Sequence, residues 1–166
     1  MEESPIVKRD LKPPVFAAEE GWTELTALDI QGLLPAFVSG DLEGERLRVR
    51  YFLRDSDGAL VGKAWFGPGT EGPPGHAHGG SIAALLDEAM GLSGWVAGHM
   101  VVAATVTINF REMLPLGTET TFEAWVEEVA GRKVIAKSRL FGPNDVTYGD
   151  ASGLFLMLPA EKFARR

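Results

Sequence analysis

Two adjacent carboxylates, Asp87 and Glu88, stand inside the otherwise apolar run Ile82-Ala83-Ala84-Leu85-Leu86-Asp87-Glu88-Ala89-Met90-Gly91. Burying a carboxylate is costly unless it is paired or used, so this placement asks for a function. The run is entered through Gly75-His76-Ala77-His78-Gly79-Gly80-Ser81. As the start of a helix, that turn offers unpaired backbone amides at the positive end of the helix dipole, a setting for a carbonyl oxygen or an anion. An amide cradle and a sheltered carboxylate together suggest acyl chemistry.

Asp87 falls in mid-helix, where no N-terminal amide is left for it to cap. Desolvation there would raise its pKa, which suits a group that must accept a proton or attack near neutral pH. The plain alternative is a salt bridge to an arginine. Glu88 lies about 100° further round the helix and is expected to be structural or at an interface.

His76-x-His78 has the look of a metal pair, but the remaining histidine, His99, lies beyond the far end of the helix, so no metal site is predicted. Gly67-x-Gly69-x-x-Gly72 matches a dinucleotide fingerprint by spacing, yet Pro73-Pro74-Gly75 follows where a helix should open; a loop gating the pocket is expected instead. Asp55-Ser56-Asp57-Gly58 lacks the later ligands of a calcium loop and reads as a hairpin turn.

The elements that must position these groups follow from periodicity. Residues 1–42 form an arm: Pro13-Pro14 and scattered charge up to Gly21, then a capping-box-like Thr26-x-x-Asp29 opening a short accessory helix that Pro35 ends. Residues 43–166 form the domain proper. Leu47 to Arg54 and Leu60 to Phe66 read as a hairpin, followed by the long loop and a helix from Ser81 to about Val96 that is apolar almost all round. From Val101 the period becomes two, with Ala104, Val106, Ile108 and Phe110 alternating with Ala103, Thr105, Thr107 and Asn109. Thr118 to Val129, Arg132 to Phe141 and Val146 to Leu158 form an antiparallel meander. Six strands and one apolar helix imply an α+β domain whose sheet wraps the helix.

The chain has 166 residues, enough for one core, and its 16 basic against 23 acidic residues, net charge -7, argue against a nucleic-acid surface. With no cysteine, disulfides, thiolate zinc sites and thiol nucleophiles are excluded. Met1-Glu2-Glu3-Ser4-Pro5 has no apolar leader, and no stretch approaches the roughly 18 apolar residues of a membrane span, so a soluble, cytoplasmic protein without a membrane partner is expected.

His78-Gly79-Gly80, Asp87 nine positions after the histidine, Asn109-Phe110 and Leu114-Pro115-Leu116-Gly117 together resemble the hotdog-fold acyl-CoA thioesterases of the PaaI and 4-hydroxybenzoyl-CoA type. The likeness runs from about Glu43 to Leu158. It implies a hotdog fold, an antiparallel sheet around one long central helix, and hydrolysis of acyl-CoA to free acid and CoA. Asp87 would be base or nucleophile, the Gly79 and Gly80 amides would polarise the carbonyl, and His78 would shape the turn. The family often carries Thr or Ser on the strand after the helix, where Ala103 stands here; Thr105, two residues on and expected on the same face, is the candidate replacement. Coenzyme A belongs to the substrate, so no separate cofactor is implied.

Gly80 and Asp87 are seven residues apart, roughly 10 Å on one helix, and one thioester carbonyl cannot touch both. The two groups are therefore predicted to come from different subunits of an obligate homodimer, with a dimer of dimers as a further option. The resemblance implies the same side-by-side pairing into a continuous sheet. Arg132 and Lys133, with Lys137 and Arg139, are candidates for the phosphates of CoA, and His76 for the pocket mouth. Two competing readings are a hotdog enoyl-CoA hydratase or dehydratase, which needs an acid/base pair, and a non-catalytic acyl-CoA-binding module.

Overall fold

The computed structural model describes residues 11–26 and 37–163. Its elements run β1 (Trp22–Glu24), β2 (Leu47–Arg54), β3 (Leu60–Phe66), α1 (Gly79–Val96), β4 (Val101–Phe110), β5 (Glu119–Ala130), β6 (Lys133–Phe141) and β7 (Thr147–Met157). The strands make one antiparallel sheet in the order β1-β2-β3-β5-β6-β7-β4. The expected six strands thus become seven. The addition, β1, comes from the arm and pairs Trp22 with Arg54 at the β2 edge. The accessory helix expected after Thr26 lies outside the described residues.

Turn chemistry sets the hairpins where the sequence places them. Gly58 takes φ 71° and closes β2 onto β3 through its amide to the Arg54 carbonyl at 2.8 Å, and Gly131 takes φ 59° between β5 and β6. The helix is buried on one side only: Ile82, Leu85, Leu86, Ala89 and Met90 pack on the sheet, while Gly80 and Asp87 are exposed. Buried Ser138 of β6 fastens the two layers by donating its hydroxyl to the Leu86 carbonyl at 3.1 Å. Leu85 is fully buried, so Leu85→Ala is expected to cost about 2–5 kcal/mol of unfolding free energy, read from urea denaturation.

The two sheet edges are treated differently. The β2 edge is closed by the three residues of β1, whereas β4 leaves ten residues of strand without a neighbour beyond β7 among the described residues. Val102 and Phe110 are exposed along it. No helix among the described residues is long and apolar enough to cross a membrane.

The even alternation expected of β4 is broken. A bulge between Ala103, opposite Phe155, and Thr105, opposite Leu154, inserts Ala104. Facing residues share a side of the sheet and successive residues alternate. Ala103 therefore lies on the helix side with buried Phe155, while Thr105 lies on the other side with Leu154.

Candidate active site

His78 is the N-cap of α1, with φ -65° and ψ 136°. Its backbone amide donates to the Thr70 carbonyl at 2.7 Å and its carbonyl accepts the Ser81 amide at 2.9 Å and the Ser81 hydroxyl at 2.6 Å. The ring completes the cap, because Nδ1 accepts the Gly80 amide at 2.8 Å. Accepting there requires an unprotonated Nδ1. The expected amide cradle is therefore halved: the Gly80 N–H is engaged by His78, and the Gly79 N–H is left without a partner among the described residues.

Asp87 makes no hydrogen bond or ion pair among the described residues, and no arginine among them forms the alternative salt bridge. Its side chain is open to solvent in the single chain rather than sheltered as the sequence suggests, because α1 turns that face away from the sheet. Neighbouring protein atoms still raise its pKa above the ordinary 3.8 by desolvation. The face it shares runs Gly80, Ala83, Ala84, Asp87, Gly91, all at helical spacing and mostly without bulk. Glu88 is held differently: its Oε1 accepts the Ser39 hydroxyl at 2.8 Å and the Tyr51 hydroxyl.

Two hollows flank the start of the helix. A groove of about 460 Å³ touches His78, Gly80, Ser81 and Ala84 and is walled by Phe37, Val38 and Leu47. A cleft of about 200 Å³ on the other side touches Gly79, His76, Phe110 and Arg111. His76 is half-buried there, its Nδ1 2.9 Å from the Pro74 carbonyl. Arg111, which the sequence reading passed over, is anchored by Asp150 at 2.5 Å. Its place directly after Asn109-Phe110 was the available signal.

Three expected site residues are not brought to this helix end within one chain. Thr105 is exposed on the far face of β4, so the premise that it shares the face of Ala103 fails at the bulge. Arg132 and Lys133 sit at the opposite end of the sheet. Phe110, which abuts Gly79, faces Gly149. Val101 faces Met157, whose amide bonds the Arg132 carbonyl. Nine strand residues, roughly 30 Å, separate the two ends.

Residues 74–147 match the family model of the Thioesterase superfamily. Acyl-coenzyme A thioesterase THEM5 of Mus musculus is 34% identical over 125 residues, 73% of this chain and 49% of that protein. The chain spans about half the length of the curated relatives it matches. Among solved structures, a thioesterase superfamily protein is 27% identical with a TM-score of 0.63, over 66% of this chain and 53% of that one. The Escherichia coli PaaI protein is 19% identical with a TM-score of 0.62, over 67% of this chain and 80% of that one. Residues 74–147, the His-Gly-Gly helix start among them, match the Thioesterase superfamily, and one long helix against a seven-stranded antiparallel sheet is the hotdog fold.

Proposed function

We propose that this chain hydrolyses acyl-CoA thioesters to a free acid and CoA at two composite sites of a homodimer. The observation that carries the reading is the separation of two unspent groups. Among the described residues the Gly79 amide is free at the start of α1, and Asp87 is unpaired, with a raised pKa, about 12 Å along the same helix. A carbonyl carbon must lie within about 3.5 Å of the attacking group while its oxygen meets the amide. One chain cannot satisfy both, and a second copy can.

The exposed helix face supports that assembly. Gly80, Ala83, Ala84 and Asp87 are symmetric about the point between the two alanines, so a two-fold axis there would set Gly80 opposite the partner subunit's Asp87. The small side chains allow close approach. The open β4 edge supports it as well, since a long unpaired strand with exposed Val102 and Phe110 invites strand pairing. Antiparallel pairing of two such edges would bring the partner's Arg132 and Lys133 toward this chain's Phe110 end. In that arrangement they could meet the phosphates of CoA.

In the proposed reaction Asp87 accepts a proton from water as the water oxygen bonds the thioester carbon. The Gly79 amide and the helix dipole stabilise the resulting oxyanion. The intermediate then expels the CoA sulfur, which takes up the proton as the C–S bond breaks.

Thiol release from a panel of acyl-CoAs tests the reading directly, with steady turnover expected above the blank. Crotonyl-CoA belongs in the panel: loss of enoyl absorbance without thiol release would favour a hydratase. Tight binding without any turnover would favour a binding module.

A further inference from the structure

Residues 37–41 lie outside the matched stretch 74–147, yet they pack beside the start of α1. Val38 and Ser39 are only 7% and 5% exposed. The Ser39 hydroxyl and the Tyr51 hydroxyl of β2 converge on the same Glu88 oxygen. Hydrogen bonds to an ionised acceptor are stronger than neutral ones. One carboxylate therefore fastens the segment and β2 to the helix, on the residue next to Asp87.

The fastened segment forms one wall of the groove that begins at Gly80. That groove, about 460 Å³, falls within the roughly 300–1,000 Å³ usual for ligand sites. Phe37, Val38, Leu47 and Ala84 give it apolar surface. Its carboxylates are spent locally: Asp41 accepts the Gly44 amide at 2.7 Å and Glu71 the Gly75 amide at 2.6 Å. Among the described lining residues stand Arg46 and the ring of His78, whose Nδ1 is occupied by the Gly80 amide. Two carboxylates beside one guanidinium disfavour the phosphate-bearing end of CoA. The acyl group is the part of the substrate that fits.

We propose that Glu88 is a positioning residue that latches residues 37–41 as the outer wall of the acyl groove, and that this wall sets the preference for acyl length. The proposal rests on the reading of the chain as an acyl-CoA hydrolase. A short acyl group ends near Gly80, whereas a long one lies against Phe37 and Val38. Freeing the wall changes how the long one binds.

The test is kcat and KM for acetyl-CoA and dodecanoyl-CoA in the wild type, Glu88→Ala, Glu88→Gln and Ser39→Ala. The ratio of kcat/KM, long over short, is expected to change about tenfold in Glu88→Ala through KM. Ser39→Ala should move it the same way, and Glu88→Gln, which keeps an acceptor oxygen, should stay closer to the wild type. An unchanged ratio in folded Glu88→Ala and Ser39→Ala overturns the proposal. Should Glu88→Ala fail to fold, Ser39→Ala decides alone, since it removes the same bond away from Asp87. If the wild type hydrolyses neither ester, the hydrolase reading fails, and calorimetry with the thioether dodecyl-CoA decides the wall. Weaker binding by Ser39→Ala then supports it, and equal binding overturns it.

Discussion

Asp87→Asn is expected to lower kcat/KM for acyl-CoA hydrolysis by roughly 10²–10⁴-fold, the usual worth of a general base. Asn keeps the size of the side chain and loses the proton acceptor. Because Asp87 is unpaired among the described residues, the loss should not come from a broken ion pair. The pH profile carries a second signature. The base must be ionised, and its folded pKa is raised above 3.8. Wild-type activity should therefore climb with pH through a midpoint higher than an ordinary aspartate's 3.8.

The sign for stability runs the opposite way. A carboxyl whose pKa is raised on folding binds its proton more tightly in the native state. Its contribution is lost as pH rises from the unfolded value through the folded one. At neutral pH the ionised Asp87 is then a burden on the fold, and Asp87→Asn should show an equal or higher Tm. A variant that loses both activity and Tm would point to a structural role.

Gly79→Pro is expected to lower kcat/KM by roughly 10²–10³-fold, as for loss of one oxyanion donor. Proline deletes the helix-start amide that has no partner among the described residues, and it suits the first helical position. The preceding residue, His78, already has φ -65° and ψ 136°, the conformation a following proline requires. The added ring would crowd Phe110, whose side chain begins 3.2 Å from the added Cβ position and is exposed enough to yield. Circular dichroism should report an unchanged fold. Unimpaired turnover in this variant would remove the amide from the mechanism.

Legibility in the sequence followed physical contrast. Leu47–Arg54 and Leu60–Phe66 were readable to the residue because apolar alternation ran into a turn whose glycine needs positive φ. Trp22–Glu24 was not, since three residues carry no period and the strand exists only by pairing with β2. The bulge at Ala104 was invisible because Ala103-Ala104-Thr105 offers no hydrophobic contrast to mark a register shift. That one residue moved Thr105 to the wrong face.

At the site, the His-Gly-Gly turn and the odd carboxylates announced themselves by type. How the donors are used did not. His78 takes the Gly80 amide because its ring folds back on its own helix, a rotamer choice that no spacing encodes. The groove wall was hidden for another reason. Ser39 and Glu88 are 49 residues apart, and neither has a local pattern that points to the other. The Arg132–Lys133 hairpin looked near by chemistry and is far by topology.

Complementation between the two crippled chains tests the composite site most directly. Asp87→Asn and Gly79→Pro each leave one half-site intact. In a mixed dimer, one site receives both defects and the other receives neither. With random mixing about half the dimers are mixed and each regains one site of two, so a 1:1 co-refolded sample should recover about a quarter of wild-type activity. Recovery near that level, from parents that are each nearly inactive, is the predicted result. A mixture no more active than its parents would contradict a site shared between two subunits.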